Sequence, residues 1–285
     1  MNPTRLRARQ IERLVEAICL GAALLPLLML GGLLLDVLVQ AWPSMRLSFL
    51  THYPSRSWAS AGILPGLVGS VLVVGLTALL AVPVGVGAAT YLEEFAAPGR
   101  FRRLVELNLA NLAGVPSIVY GLLGLALFVH FAGLGHGLLA GALTLALLVL
   151  PIVLLATREA LRTVPDSLRE GALALGATRW QVTSRVVLPH ALPGILTGAI
   201  LGVSRAMGET APLLLVGAVS YVTFLPTSLD SPFTTMPVQI FGWVSRPQAG
   251  FSANAAAGIV VLLLTLTGMN LAALVLRARL RRDPT

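Results

Sequence analysis

The chain has 285 residues, of which 56% are hydrophobic and only 11% are charged. A soluble globular domain carries about 25% charged residues, so a single buried core does not account for this composition. The formal net charge of +8 comes from twenty arginines, with no lysine anywhere. They sit between apolar runs, as topology determinants do, and not along a stripe that would grip nucleic acid.

The apolar runs have the length of membrane crossings, about 20 residues for a helix spanning roughly 30 Å of hydrocarbon. Weak alternation and abundant Leu, Ala and Gly argue against a barrel. The expectation is an all-α, polytopic membrane helix bundle of six transmembrane helices in a single transmembrane domain, 1–285. The first span covers about 17–39. It is too long and lacks the cleavage site of a secretory signal, so it reads as an anchor. With its external link it forms an arm, 1–61. The second lies within 62–92, a charge-free stretch of 31 residues whose start, 61–69, is expected as an interfacial lead-in. The third covers 109–129, the fourth 137–157, the fifth 191–216 and the sixth 252–276. Spans two to six form a core, 62–277.

Sixteen arginines fall before span one, between spans two and three, between four and five, and after span six. Only Arg46, Arg56 and Arg246 fall on the other side. The excess of positive loops places both termini in the cytoplasm. The long external segment, 220–251, holds four prolines that interrupt any continuous element, leaving room for a short helix or a re-entrant turn.

Between spans four and five lies the one sizeable internal loop, 158–190. Ser167 precedes Glu170 by three, and Thr178 precedes Gln181 by three. Both have capping-box spacing, and Gly176 stands where a helix C-terminal cap is expected. Two short helices joined at a glycine would form a cytoplasmic knob, suited either to the lipid interface or to docking a soluble partner. Glu93 and Glu94 end the second apolar run and are expected to be solvated or paired with the arginines at 100–103.

The most informative run is Arg205-Ala-Met-Gly-Glu-Thr-Ala-Pro212, inside span five. Ionisable residues at membrane depth mark solute pathways or buried partners. Arg205 and Glu209 are four apart, so on a continuous helix they share a face. Arginine's rigid fork of donors suits an oxyanion, with Glu209 offsetting its charge so that the anion is not trapped, and with Thr210 adding a hydroxyl. In span three, Pro116, Ser117 and Tyr120 read as a kink with polar handles. Substrate-pathway candidates are therefore Arg205, Glu209, Thr210, Ser117 and Tyr120. The alternative for the charged pair is packing alone, and for the whole chain a membrane anchor that transports nothing. No metal-ligand set or catalytic dyad falls at membrane depth, and no phosphate-binding loop of the Gly-x-x-x-x-Gly-Lys type is present, so an ATP-driven process would need another subunit.

Glu170-Gly-Ala-Leu-Ala-Leu-Gly176 followed by Val186-Val-Leu-Pro189 resembles the EAA loop of binding-protein-dependent ABC importer permeases, with Gly171 in place of an alanine. The segments Gly114-Val-Pro-Ser-Ile-Val-Tyr-Gly121, Arg205 to Pro212 and Met236-Pro-Val-Gln-Ile-Phe241 resemble the phosphate-specific permeases, and the Thr-Ala-Pro ending is more like the PstA subunit than its PstC partner. The resemblance implies a type I, MetI-like importer fold in the bacterial inner membrane. It implies a second, PstC-like permease, two copies of an ATP-binding subunit and a periplasmic phosphate-binding protein as partners. ATP and magnesium would be used by the ATPase, with no cofactor in this chain. Glu170, Ala172, Leu173 and Gly176 would contact the ATPase, and the cargo would be inorganic phosphate, with phosphonate, molybdate or sulfate as alternatives.

Overall fold

The computed structural model describes residues 3–97 and 99–280. All regular structure within them is helical: α1 (Pro3–Ala41), α2 (Leu47–Thr51), α3 (Leu64–Thr90), α4 (Arg100–Ala113), α5 (Ser117–Gly124), α6 (Leu138–Arg162), α7 (Asp166–Ala174), α8 (Arg179–Val182), α9 (Leu188–Met207), α10 (Ala211–Val216), α11 (Met236–Val244) and α12 (Gly250–Leu280). Wider π-type turns, Tyr91–Phe95, Leu125–Phe131 and Thr183–Val187, extend α3, extend α5 and join α8 to α9.

Among the described residues, five helical runs are long and apolar enough to cross a membrane: Glu12–Ser44, Leu64–Phe95, Leu138–Arg162, Arg179–Met207 and Gly250–Arg279. This corrects the expected six continuous crossings. The third is divided into amphipathic α4 and the shorter apolar run Ser117–Phe131. The cause is local. Pro116 lacks an N–H and drives the residue before it out of the helical region. The Tyr120 hydroxyl then donates to the Leu112 carbonyl at 2.8 Å, satisfying an acceptor near the end of α4. The fifth crossing is interrupted too. Its helix stops at Met207, and a new one starts at Ala211 with Pro212 in its first turn.

Helix α6 is the centre of the bundle, packed between α3 and α9. The approach of α9 is set by small residues. Gly194 and Gly198, one turn apart, rest on Ala160 and Ala156 of α6 so closely that a methyl group at either would collide. Close backbone approach through small residues is how helices associate where lipid removes the hydrophobic drive. Around this centre, α5 and α10 pack on each other, and α12 lies against α1, α9 and α11. From Glu12 to Gln40, helix α1 buries little of its apolar surface within the chain, with Leu28, Met29 and Val39 about 70% exposed.

The start of the second span packs against the external segment. Ala61 and Ile63 are buried, Gly66 lies against Gln239, and Gly69 lies against the Thr234 carbonyl. The long external segment holds the short helix its length allowed, α11, whose first five residues are buried. The Met236 N–H donates to Ser70 Oγ at 2.8 Å, and Gln239 Nε2 donates to the Gly62 carbonyl at 2.8 Å. Arg281 and Arg282, two of the topology arginines, lie outside the described residues.

Candidate functional site

The two interrupted segments meet. Gly121 of α5 lies against the Pro212 backbone of α10, too close for any side chain, and Ser117, one turn earlier, is the first residue of α5 after the break in span three. A break exposes backbone groups that lipid cannot satisfy. Such breaks persist at membrane depth only inside protein or beside an aqueous cavity. Interrupted helices of this kind build solute sites in transporters, because half-helix ends present dipoles to ions.

Arg205 is in the last turn of α9, and Glu209 is two residues past its end. The pair expected on one continuous helix face therefore straddles a break. It still forms: Arg205 Nε donates to Glu209 Oε1 at 3.4 Å. The guanidinium is half-exposed, and the carboxylate is nearly buried. Thr210 caps the start of α10 with no hydrogen bond from its side chain, and is half-buried. Ser117 opens α5 and is half-buried as well. Tyr120 is buried, with its hydroxyl committed to the Leu112 carbonyl. The five pathway candidates thus divide. Arg205, Glu209, Thr210 and Ser117 have polar atoms near the breaks, while Tyr120 holds the break in span three together.

The cytoplasmic knob exists as two helices, α7 and α8. Thr178 and Gln181 make both bonds of a capping box, and Gly176 adopts φ +84°, the left-handed region that glycine enters without strain. The box expected at Ser167 and Glu170 does not form, because α7 starts two residues earlier, at Asp166 with Pro165 as its N-cap. Glu170 makes no hydrogen bond or ion pair among the described residues and projects into solvent with Leu173 and Gly176. Ala172 turns the other way, onto the cluster of Leu161, Val164, Val182 and Val187. Of the four expected ATPase contacts, three face outward and one supports them from behind.

The same face carries an ionic network that the sequence reading found only in part. Glu93 and Glu94 are nearly buried. Glu93 does pair with Arg102, at 3.1 Å, but its shorter bonds are to Arg158 at 2.6 Å and Arg162 at 3.0 Å, both from α6. Arg158 also reaches Glu106 of α4 at 2.5 Å. Glu94 pairs with Arg169 of α7 at 2.9 Å. The hydrogen bond from Arg102, and that from Arg158, hold the Glu106 carboxyl below its ordinary range although partial desolvation opposes this. Part of the arrangement is local: Arg158 and Arg162 are one turn apart at the end of an apolar run and share a face, but only the fold brings that face to Glu93.

The model of the family described as binding-protein-dependent transport system inner membrane component matches residues 81–282. The chain belongs to this family. Among its relatives, the phosphate transport system permease protein PstA 1 of Mycobacterium tuberculosis is 34% identical, with 99% of this chain and 94% of the relative covered. The phosphate transport system permease protein PstC of Mesorhizobium japonicum is 30% identical over 92% of this chain and 88% of its own length. Among solved structures, an inward-facing MetNI methionine ABC transporter chain superposes with a TM-score of 0.65 over 77% of this chain and 96% of its own, at 19% identity, a likeness of fold. This is a multi-pass inner-membrane permease of an ABC importer, related in fold to the MetI-like permeases. The permease resembles PstA chains over most of its length. Family membership makes it one membrane component of a multi-subunit importer. Among the described residues, no three His, Cys, Asp or Glu side chains gather as a metal site.

Proposed function

We propose that this permease carries inorganic phosphate into the cytoplasm as one of two membrane subunits of an ATP-driven importer. The observation that carries the reading is the pair of interrupted spans, packed on each other, with Arg205 at one break and Ser117 near the other. Arg205 supplies a fork of donors for an oxyanion, and Ser117 and Thr210 supply hydroxyls. Glu209, paired with Arg205, offsets the positive charge so that binding stays weak enough for release. Curated relatives named phosphate transport permeases support the choice of phosphate over phosphonate, molybdate or sulfate. Tyr120 contributes by fixing the span-three break and not by touching the anion.

In this reading the third crossing is completed by Ser117–Phe131, with α4 lying along the cytoplasmic interface, which gives six crossings with both termini in the cytoplasm. Residues 1–61 are an arm whose lipid- or partner-facing helix flanks the core at 62–277. The partners are a PstC-like permease, two ATP-binding subunits that use ATP and magnesium, and a periplasmic phosphate-binding protein. The loop at 158–190 seats the ATPase through Glu170, Leu173 and Gly176, with Ala172 backing them.

The test of substrate is competition. Complexes in vesicles, supplied with the binding protein and ATP, should take up labelled phosphate. Excess unlabelled phosphate should abolish uptake, and molybdate or sulfate at the same excess should leave most of it. Equal or stronger inhibition by another oxyanion, through its own binding protein, would transfer the assignment to that anion.

A further inference from the structure

One side chain joins the knob to two spans. Arg169, on α7, donates through Nη1 to the Val164 carbonyl at 2.6 Å and to Asp166 Oδ1 at 3.1 Å. Through Nη2 it donates to Glu94 Oε1 at 2.9 Å and to the Leu161 carbonyl at 2.9 Å. Leu161 and Val164 lie at the C-terminal end of α6, where carbonyls lack partners within the helix and a cation is favoured. Glu94 lies in the wide turn that ends the second span. Helix α7 itself buries no residue. Among the described residues, Arg169 and Ala172 are the α7 side chains set partly into the bundle. The neighbouring carboxylate, Glu93, ties the end of the second span to α4 and α6 through Arg102, Arg158 and Arg162. Two adjacent carboxylates at one helix end thus divide the labour: Glu93 fastens the bundle to itself, and Glu94 fastens the knob to the bundle.

We propose that Arg169, clasped by Glu94, is the positioning residue that passes movement of the cytoplasmic knob to the second and fourth spans. The inference rests on the reading of α7 as the ATPase seat and adds the joint through which the seat pulls. A transmitting joint must be stiff in several directions. A planar guanidinium held by three acceptors outside its own helix, Glu94 and the Leu161 and Val164 carbonyls, and steadied by Asp166 within it, is stiff, whereas an ammonium on a flexible stem holds such a set less well. Arg169 points away from the outward-facing Glu170, Leu173 and Gly176, so removing it leaves the docking surface itself in place.

The experiment uses the assembled complex in lipid discs or vesicles, with Arg169→Ala, Arg169→Lys and Glu94→Gln. Spin labels at the external ends of α3 and α6 report movement on adding ATP and vanadate, a reading that does not depend on which solute is carried. The expected result is ATPase co-purification within about twofold of wild type in all three variants. The ATP-driven change in label distance should be lost in Arg169→Ala, reduced in Glu94→Gln and partly restored in Arg169→Lys. ATP hydrolysed per solute imported should rise about tenfold in the alanine variant. An unchanged label movement and coupling ratio in both Arg169→Ala and Glu94→Gln would overturn the proposal. So would loss of co-purification and thermal stability in parallel with transport in both, since that is the signature of a purely structural bond. Normal ATP-driven movement in wild type without phosphate uptake would sink the substrate assignment and leave the clasp standing.

Discussion

Arg205 shows how a residue can be legible while its setting is not. An arginine among uncharged residues stands out in the sequence, and so does a glutamate four positions on. The interruption between them does not, because Gly208 alone is weak evidence for a helix end, and the packing of Pro212 on Gly121 beyond it is long-range. If the guanidinium meets the anion, Arg205→Ala should cut uptake at least tenfold with assembly intact, and Arg205→Lys, which keeps charge but loses the fork, should restore little. Lysine restoring most of the uptake would leave the arginine only the task of balancing Glu209. Near-normal, phosphate-selective uptake by the double variant Arg205→Ala with Glu209→Gln would remove the pair from the path altogether. Glu106 gives a residue-scale prediction of pH dependence. Its carboxyl is held below the ordinary range by Arg102 and Arg158. The unfolded chain therefore binds the proton more readily, and the stabilisation is complete above the unfolded value, about pH 4.3. It is lost as pH falls through the lower, folded value. Thermal unfolding in detergent should show an acid-side slope below that pH that is shallower in Glu106→Gln. Identical slopes would remove Glu106 from the acid response.

At the scale of elements, the knob was the best-read part, because capping and glycine signals are local. Thr178, Gln181 and Gly176 behave as their spacing implies. Ser167 does not, since Pro165 already ends the preceding turn and the helix begins at Asp166. Glu170 consequently has no capping duty. Glu170→Ala should leave membrane levels and melting of the chain unchanged while co-purification of the ATPase drops several-fold. Unchanged co-purification would take Glu170 out of the docking surface. The α6–α9 contact is the opposite case, invisible without the partner helix. Gly194 and Gly198 read as ordinary small residues until Ala160 and Ala156 are placed against them. Gly198→Leu should force the helices apart at a cost of about 1–3 kcal/mol, read as a lower melting temperature, whereas Gly87→Leu, with nothing within 4 Å of its added carbon, should be silent. Equal effects at the two positions would contradict the packing described.

For the whole molecule, hydropathy and arginine placement foretold the membrane class, the bundle and the order of the crossings. Hydropathy alone smoothed over both interruptions, since an apolar average registers neither the break at Pro116, which the residues themselves mark as a kink, nor the helix end at Met207. The ionic network at the cytoplasmic end was beyond reach for the same reason: it joins residues 93 and 94 to 158, 162 and 169, and only the fold brings them together. The central claim concerns the assembled machine. The most direct measurement is accumulation of labelled phosphate by vesicles holding this chain with its partner permease, the ATPase and the binding protein, with each part omitted in turn. The account predicts ATP-dependent accumulation only when all four are present, and no ATP hydrolysis by this chain alone. Accumulation that persists when this chain is left out, or ATP hydrolysis by the purified chain, would contradict it.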